Sequence, residues 1–183
     1  MMDMAGFPFF NKSREAYILS KEEIGRLLFV CDPMLGSMVR FGLCSGLTQE
    51  EMAGVRIGDL DMVGQAVIVR TPKMSRTVYM PLAGLEPVRK YTNNGHGPSD
   101  YLFSYGKTQL ARKLEEASKK ALGRKLIWLD IIHTYVNLCA KGGVPLQLTA
   151  VNLGITADRL MDQYGMSAEQ GRKVLNSGFN GIF

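Results

Sequence analysis

SGLTQEEMAGVRIGDLD, residues 45–61, is the stretch at which this chain changes character. Ser45-Gly46 breaks an apolar run, and TQEEMAGV then predicts a short helix over 48–54. Upstream the period is helical. Ser20-Lys21-Glu22-Glu23 is a capping-box pattern followed by Ile24, Leu27 and Leu28. That helix should end near Asp32-Pro33, and a second apolar helix should follow over 34–44. Downstream the period becomes that of strands. Residues 65–70 and 76–80 are β-rich and flank Thr71-Pro72-Lys73-Met74-Ser75, which predicts a β-hairpin carrying a lysine at its tip.

The rest predicts helices at 107–121, 128–141, 147–152, 156–163 and 167–177, with a loop over 92–100 that leaves His96 in solvent. Gly142-Gly143 and Pro145 separate two of these helices, and Ser167-Ala168-Glu169-Gln170 is a second capping-box pattern. The expected fold class is α+β, mainly helical, with one small antiparallel sheet. Residues 1–18 are expected to be an arm or linker, 19–164 one domain, and 165–183 a C-terminal helix and tail.

No stretch reaches the roughly 18 apolar residues that a membrane span needs, and the N-terminus lacks the layout of a secretory signal. The expectation is a protein that stays inside the cell, cytoplasmic or nucleoid-associated. Cys31, Cys44 and Cys139 are widely spaced in apolar stretches, which predicts buried free thiols. With only two histidines and no Cys/His cluster, neither a metal nor a cofactor is expected. The whole chain carries +5, and residues 107–125, with seven Lys/Arg against two Glu, account for all of it. On the residues alone this is either a solvated helix face or a strip facing phosphate.

Five local patterns, in order, resemble the catalytic domain of the tyrosine recombinase (phage integrase) family. LSKEEIGRLL at 19–28 is similar to its opening helix. SGLTQEEMAGVRIGDLD resembles the T-G-L-R-x-x-E-L segment with its later aspartates, placing Glu51, Val55, Asp59 and Asp61 in register. TPKMSRTVYMPL at 71–82 resembles the family hairpin, LDIIHTYVNLCAKGG the H-x-L-R-H-T-x-A segment, and VNLGITADRLMDQY the L-G-H-x-S-x-x-T-T-x-x-Y segment. The resemblance covers about residues 19–164 and implies the integrase (DNA breaking-rejoining) catalytic-domain fold.

The family cleaves DNA with a tyrosine that attacks a phosphodiester, while arginines and His/Lys/Trp residues clamp the phosphate. By resemblance Tyr164 falls on the nucleophile, Lys73 on the general acid, His133 on the supporting histidine and Glu51 on the acidic structural position. The remaining positions are replaced. Thr48 stands at the first arginine, Ile132 at the second, Leu129 at the first histidine and Ile155 at the last His/Trp. Charge on the non-bridging oxygens calls for the bidentate fork of arginine, and losing one preorganised donor costs about 10²–10³ in rate. A phenol of pKa about 10 also needs a positive field to attack near neutral pH. The catalytic set is therefore expected to be vestigial, with His133 left to hold the start of its helix. Arg56, Arg124 or a partner acting in trans are the alternatives that would rescue it. On the residues alone, Leu129, Ile132 and Ile155 are apolar fill, Tyr164 a packing aromatic and Lys73 a hairpin tip or a phosphate contact.

In the family, the helix before the H-x-L-R-H segment enters the major groove. Here that helix is the charged one, and Lys107, Thr108, Gln109, Arg112 and Lys113 are the expected double-stranded-DNA contacts, with Lys73 and Arg76 from the hairpin. The family closes a C-shaped clamp with a further helical domain; the half-clamp here should bind modestly and with steep salt dependence. The expected function is a catalytically inactive, recombinase-like DNA-binding protein serving a mobile element. Alternatives are an active recombinase with a non-standard site, or a module that engages a second copy or an active recombinase through the apolar tail (Val174, Leu175, Phe179, Ile182, Phe183).

Overall fold

The computed structural model describes residues 17–72, 74–92 and 95–164, the last three by their backbone alone. The expected arm, Lys73 and the tail therefore lie outside the described residues, apart from Tyr17 and Ile18. The chain opens with α1 (Lys21–Val30), α2 (Pro33–Ser45) and α3 (Gln49–Gly54). A 3₁₀ turn (Ile57–Asp59) leads into β1 (Leu60–Asp61), β2 (Ala66–Arg70) and β3 (Ser75–Tyr79), and α4 (Leu82–Thr92), α5 (Lys107–Leu122), α6 (Trp128–Lys141), α7 (Leu146–Leu153) and α8 (Ala157–Tyr164) follow. The mainly helical α+β class expected from the sequence is the observed one.

Local chemistry sets the helix ends. Glu23 N–H donates to Ser20 Oγ at 3.2 Å and Ser20 N–H to Glu23 Oε2 at 2.9 Å, a reciprocal box that satisfies two otherwise orphaned amides. Asp32 Oδ1 accepts from Leu35 N–H at 2.9 Å, and Pro33 at the first helical position loses no intrahelical bond by lacking an amide. Gly46 ends α2 at φ +70°, where a Cβ would stand 2.6 Å from the Tyr135 ring. Only glycine suits both the left-handed backbone and the close approach.

The sheet is antiparallel in the order β1-β2-β3, with Val67 opposite both Leu60 and Val78. Helices α2 and α6 pack through a glycine gap. A Cβ at Gly42 would stand 2.5 Å from the Trp128 ring, and Trp128 Nε1–H donates to Leu47 O at 2.7 Å. Phe41, Met38, Leu35, Leu110, Leu114 and Ile131 are among the fully buried side chains of the core that this contact belongs to. Burying such a side chain contributes roughly 1.5–3 kcal/mol, so this layer is where the fold is held.

Two elements were not expected: α4, and the short strand β1. Pro87 lies inside α4, an unfavourable helix position, yet Leu85 and Val88 are fully buried and Gly84 lets the helix approach Cys44. Tertiary burial overrides the proline. The three cysteines are free but half-buried rather than fully enclosed. The expected helix over 167–177 lies outside the described residues.

Candidate functional site

Residues from 45–61, from the hairpin and from the 151–164 segment meet in one buried node. Thr48 caps α3, its Oγ1 accepting from Glu51 N–H at 3.2 Å while its own N–H donates to Glu51 Oε2 at 2.9 Å. The one polar group at the first arginine position is thus used to start a helix. The other oxygen of Glu51 pairs with Arg76 Nη1, and Arg76 Nε donates to Asn152 O at 3.1 Å. Both side chains are nearly enclosed, Arg76 at 8% and Glu51 at 11% exposure.

Arg76, expected on DNA, is therefore turned into the protein. Val78 on the same side of β3 is buried while Ser75, Thr77 and Tyr79 are exposed, so the strand's two-residue period points Arg76 inward. Gly154, at φ +68°, makes room for it, since a Cβ there would meet the guanidinium at 3.2 Å. Asn152 closes the node from α7. Its Oδ1 accepts from Tyr79 N–H at 3.0 Å and its amide donates to Tyr79 O at 2.8 Å and Tyr135 Oη at 2.9 Å. Arg76 Nη2 and Gln49 Nε2 are buried without a hydrogen-bond partner among the described residues. A phosphate brought to Arg76 would have to compete with the carboxylate already bound there.

On α6, Ile132 is fully buried, and Leu129 and Ile155 pack against the same core. His133 is buried one turn beyond the helix start. Asp130 accepts from Ile127 N–H at 2.9 Å and so helps hold that start. Thr134 ties α6 to the chain before α1, its hydroxyl donating to Asp130 O at 2.7 Å and accepting from Leu19 N–H at 3.0 Å. Of the alternative cations, Arg124 stacks on Tyr17 at 4.1 Å and Arg56 on Tyr101 at 4.6 Å. Tyr164 falls on the last residue of α8; Lys73 lies outside the described residues.

The charged helix behaves differently. In α5, Leu110, Leu114, Ala117 and Ser118 face inward, leaving Lys107, Thr108, Gln109, Arg112, Lys119 and Lys120 exposed, with Lys113 half-buried. Most of these cations meet a carboxylate. Lys107 pairs with Glu50, Arg112 with Glu116 at 2.7 Å, Lys113 with Asp32 at 3.4 Å, and Lys119 and Lys125 both with Glu115, at 2.7 and 2.6 Å. The Lys119 and Lys125 ammonium groups hold the Glu115 carboxyl down at about 2. Exposed pairs of this kind are worth about 0–1 kcal/mol, so a phosphate can displace the carboxylate cheaply. A buried pair such as Glu51–Arg76 is strongly destabilised when one partner is lost. These magnitudes separate the cations open to a ligand from the one committed to the fold.

Among the described residues no His/Cys/Asp/Glu cluster could hold a metal ion, and no helix is long and apolar enough to cross a membrane. A cleft of about 430 Å³ between the hairpin, α6 and α7 is lined by Cys44, Cys139, Tyr79 and Tyr135 among others. Burial pushes the Cys44 thiol up to about 11 and raises that of Cys139, so neither is a ready nucleophile near neutral pH.

No known family model matches the chain, and no curated protein matches it. Among solved structures it is similar to XerA recombinase, with a TM-score of 0.75 at 19% identity over 90% of this chain and 66% of that one. It is similar to the Tn1549 transposon integrase in complex with transposon right-end DNA, with a TM-score of 0.77 at 14% identity over 93% of this chain and 68% of that one. The catalytic domain of bacteriophage HP1 integrase gives a TM-score of 0.66 at 20% identity over 88% of this chain and 95% of that domain. The chain thus spans about two thirds of the first two proteins and almost all of the third. The shared property is the fold: that of a tyrosine-recombinase catalytic domain.

Proposed function

We propose that this chain, built on the recombinase catalytic-domain fold, is a DNA-binding protein that no longer cleaves, a regulator or accessory factor of a mobile element. The observation that carries the reading is the fate of the arginine positions. Thr48 caps a helix, Ile132 is buried, and the nearby guanidinium of Arg76 is taken by Glu51. Tyr164 on this reading lacks the cationic field that would lower a phenol's pKa. The exposed side of α5 supplies the binding surface, with Lys107, Arg112 and Lys113 on phosphate and Gln109 and Thr108 toward base edges. The likeness to an integrase in complex with transposon DNA supports the partner, and binding to DNA would place the protein at the nucleoid.

A salt series of mobility shifts on duplexes selected from a random pool tests it. Arg112→Ala should flatten the dependence of log K on log salt, and Gln109→Ala should relax sequence preference while leaving the slope alone. No shift even at low salt overturns the reading. A second reading, engagement of an active recombinase or a second copy, is supported by the exposed apolar side chains Leu148 and Val151 on α7 and Met161 on α8. A complex formed with a recombinase in the absence of DNA would favour it.

A further inference from the structure

We propose that Arg56 and Tyr101 form a preorganised phosphate contact that extends the α5 face across the end of α3, a surface for duplex DNA. The inference rests on the DNA-binding reading above and adds a contact that the basic helix does not supply. The Arg56 guanidinium lies over the Tyr101 ring at 4.6 Å and donates from Nη1 to Ser99 O. The backbones of the two residues are bridged antiparallel, and Leu102 N–H donates to Val55 O at 2.8 Å, so the stack is fixed from below. Arg56 is exposed, and Tyr101 is 58% exposed.

Among the described residues no carboxylate pairs with Arg56, whereas Arg70, Arg76, Lys107, Arg112, Lys113, Lys119 and Lys125 each meet one. The neighbouring acids are occupied. Asp59 holds Arg70, Glu50 holds Lys107, and Asp100 accepts from Gly97 N–H at 2.7 Å and faces His96 Nδ1 at 3.6 Å. A carbonyl and a ring restrain Arg56 without neutralising it. Its free N–H groups form the planar fork that suits phosphate, and little side-chain entropy remains to be lost on binding. The Lys107–Glu50 pair joins α5 to α3, Arg56 follows the end of α3 by two residues, and Tyr101 precedes α5 by six.

Binding of the full chain to a random-sequence duplex and to a selected duplex, across about 50–200 mM salt, tests the contact. Arg56→Ala should weaken binding several-fold on both duplexes and lower the salt slope by about 0.9, the value of one phosphate. Arg56→Lys should keep the slope and lose only part of the affinity, and Tyr101→Ala should loosen the stack and weaken binding less than Arg56→Ala. Lys90→Ala, which removes a cation stacked on Tyr91 in α4, should change neither quantity. A wild-type complex with the same slope and affinity in Arg56→Ala overturns this contact and leaves the α5 reading standing. An equal loss in Lys90→Ala also overturns it, by showing a mere effect of net charge. A wild-type chain that binds neither duplex at the lowest salt overturns both. Thermal melting of each variant keeps a folding defect from passing as lost binding.

Discussion

Two regions of this molecule hold arginines and glutamates at hydrogen-bond distance, and they put them to opposite uses. At the Glu51–Arg76 node both side chains are enclosed and tied to Thr48 and the Asn152 carbonyl. On α5 the same residue types meet at the surface, as in Arg112–Glu116. In water such a pair is nearly neutral in free energy; in the interior the loss of either member leaves an unpaired charge. Positive charge on an element does not by itself identify a nucleic-acid contact. A cation is available to phosphate when its own protein holds it loosely, or holds it without a counter-charge.

The largest effect is expected for Arg76→Ala. It should destabilise the fold by about 3–5 kcal/mol through the stranded Glu51 carboxylate, read as the shift in a denaturant unfolding curve. Replacing both partners with apolar residues should cost less than the single change. A loss below about 0.5 kcal/mol would put Arg76 back among the surface cations. Thr48→Ala comes next. With the hydroxyl acting as the helix cap, stability should fall by about 1 kcal/mol, with no change in the salt slope of DNA binding. An altered slope would mean that Thr48 touches the ligand.

The smallest expected effect is at Glu115, held low by Lys119 and Lys125. Its folded pKa, about 2, lies below the ordinary glutamate value of about 4.5. Its contribution is therefore present above about pH 4.5 and fades as pH falls toward 2. Comparing Glu115→Gln with the wild type by thermal melting should show a small difference at pH 7 that shrinks at pH 3 and at high salt. A difference that persists at pH 3 would mean that the pair is not the cause.

Much of this was legible in the sequence because local chemistry dictated it. The Ser20 capping box, the 71–75 hairpin and the single-sided α5 all follow from short-range spacing. Helix α4 was hidden because Pro87 argues against a helix locally, and the burial of Leu85 and Val88 that overrides it is a tertiary effect. The inward turn of Arg76 was available in the alternation of Ser75–Tyr79 but was masked by its charge, which suggests a surface role. Trp128, the sole tryptophan, sits beside the mapped positions, and its bond to Leu47 O fastens the start of α6 to the segment that opens α3. No spacing announces that contact, since its partners are 81 residues apart. The Arg56–Tyr101 stack is equally non-local and emerges only once α3 and the loop before α5 are brought together.

One assay tests the proposed binding without cleavage directly. The full chain is incubated with a suicide substrate built on its selected duplex, and native and denaturing gels are run in parallel. A shifted complex on the native gel and no covalent protein–DNA adduct on the denaturing one are expected. An adduct that forms with the wild type and disappears in Tyr164→Phe would contradict it.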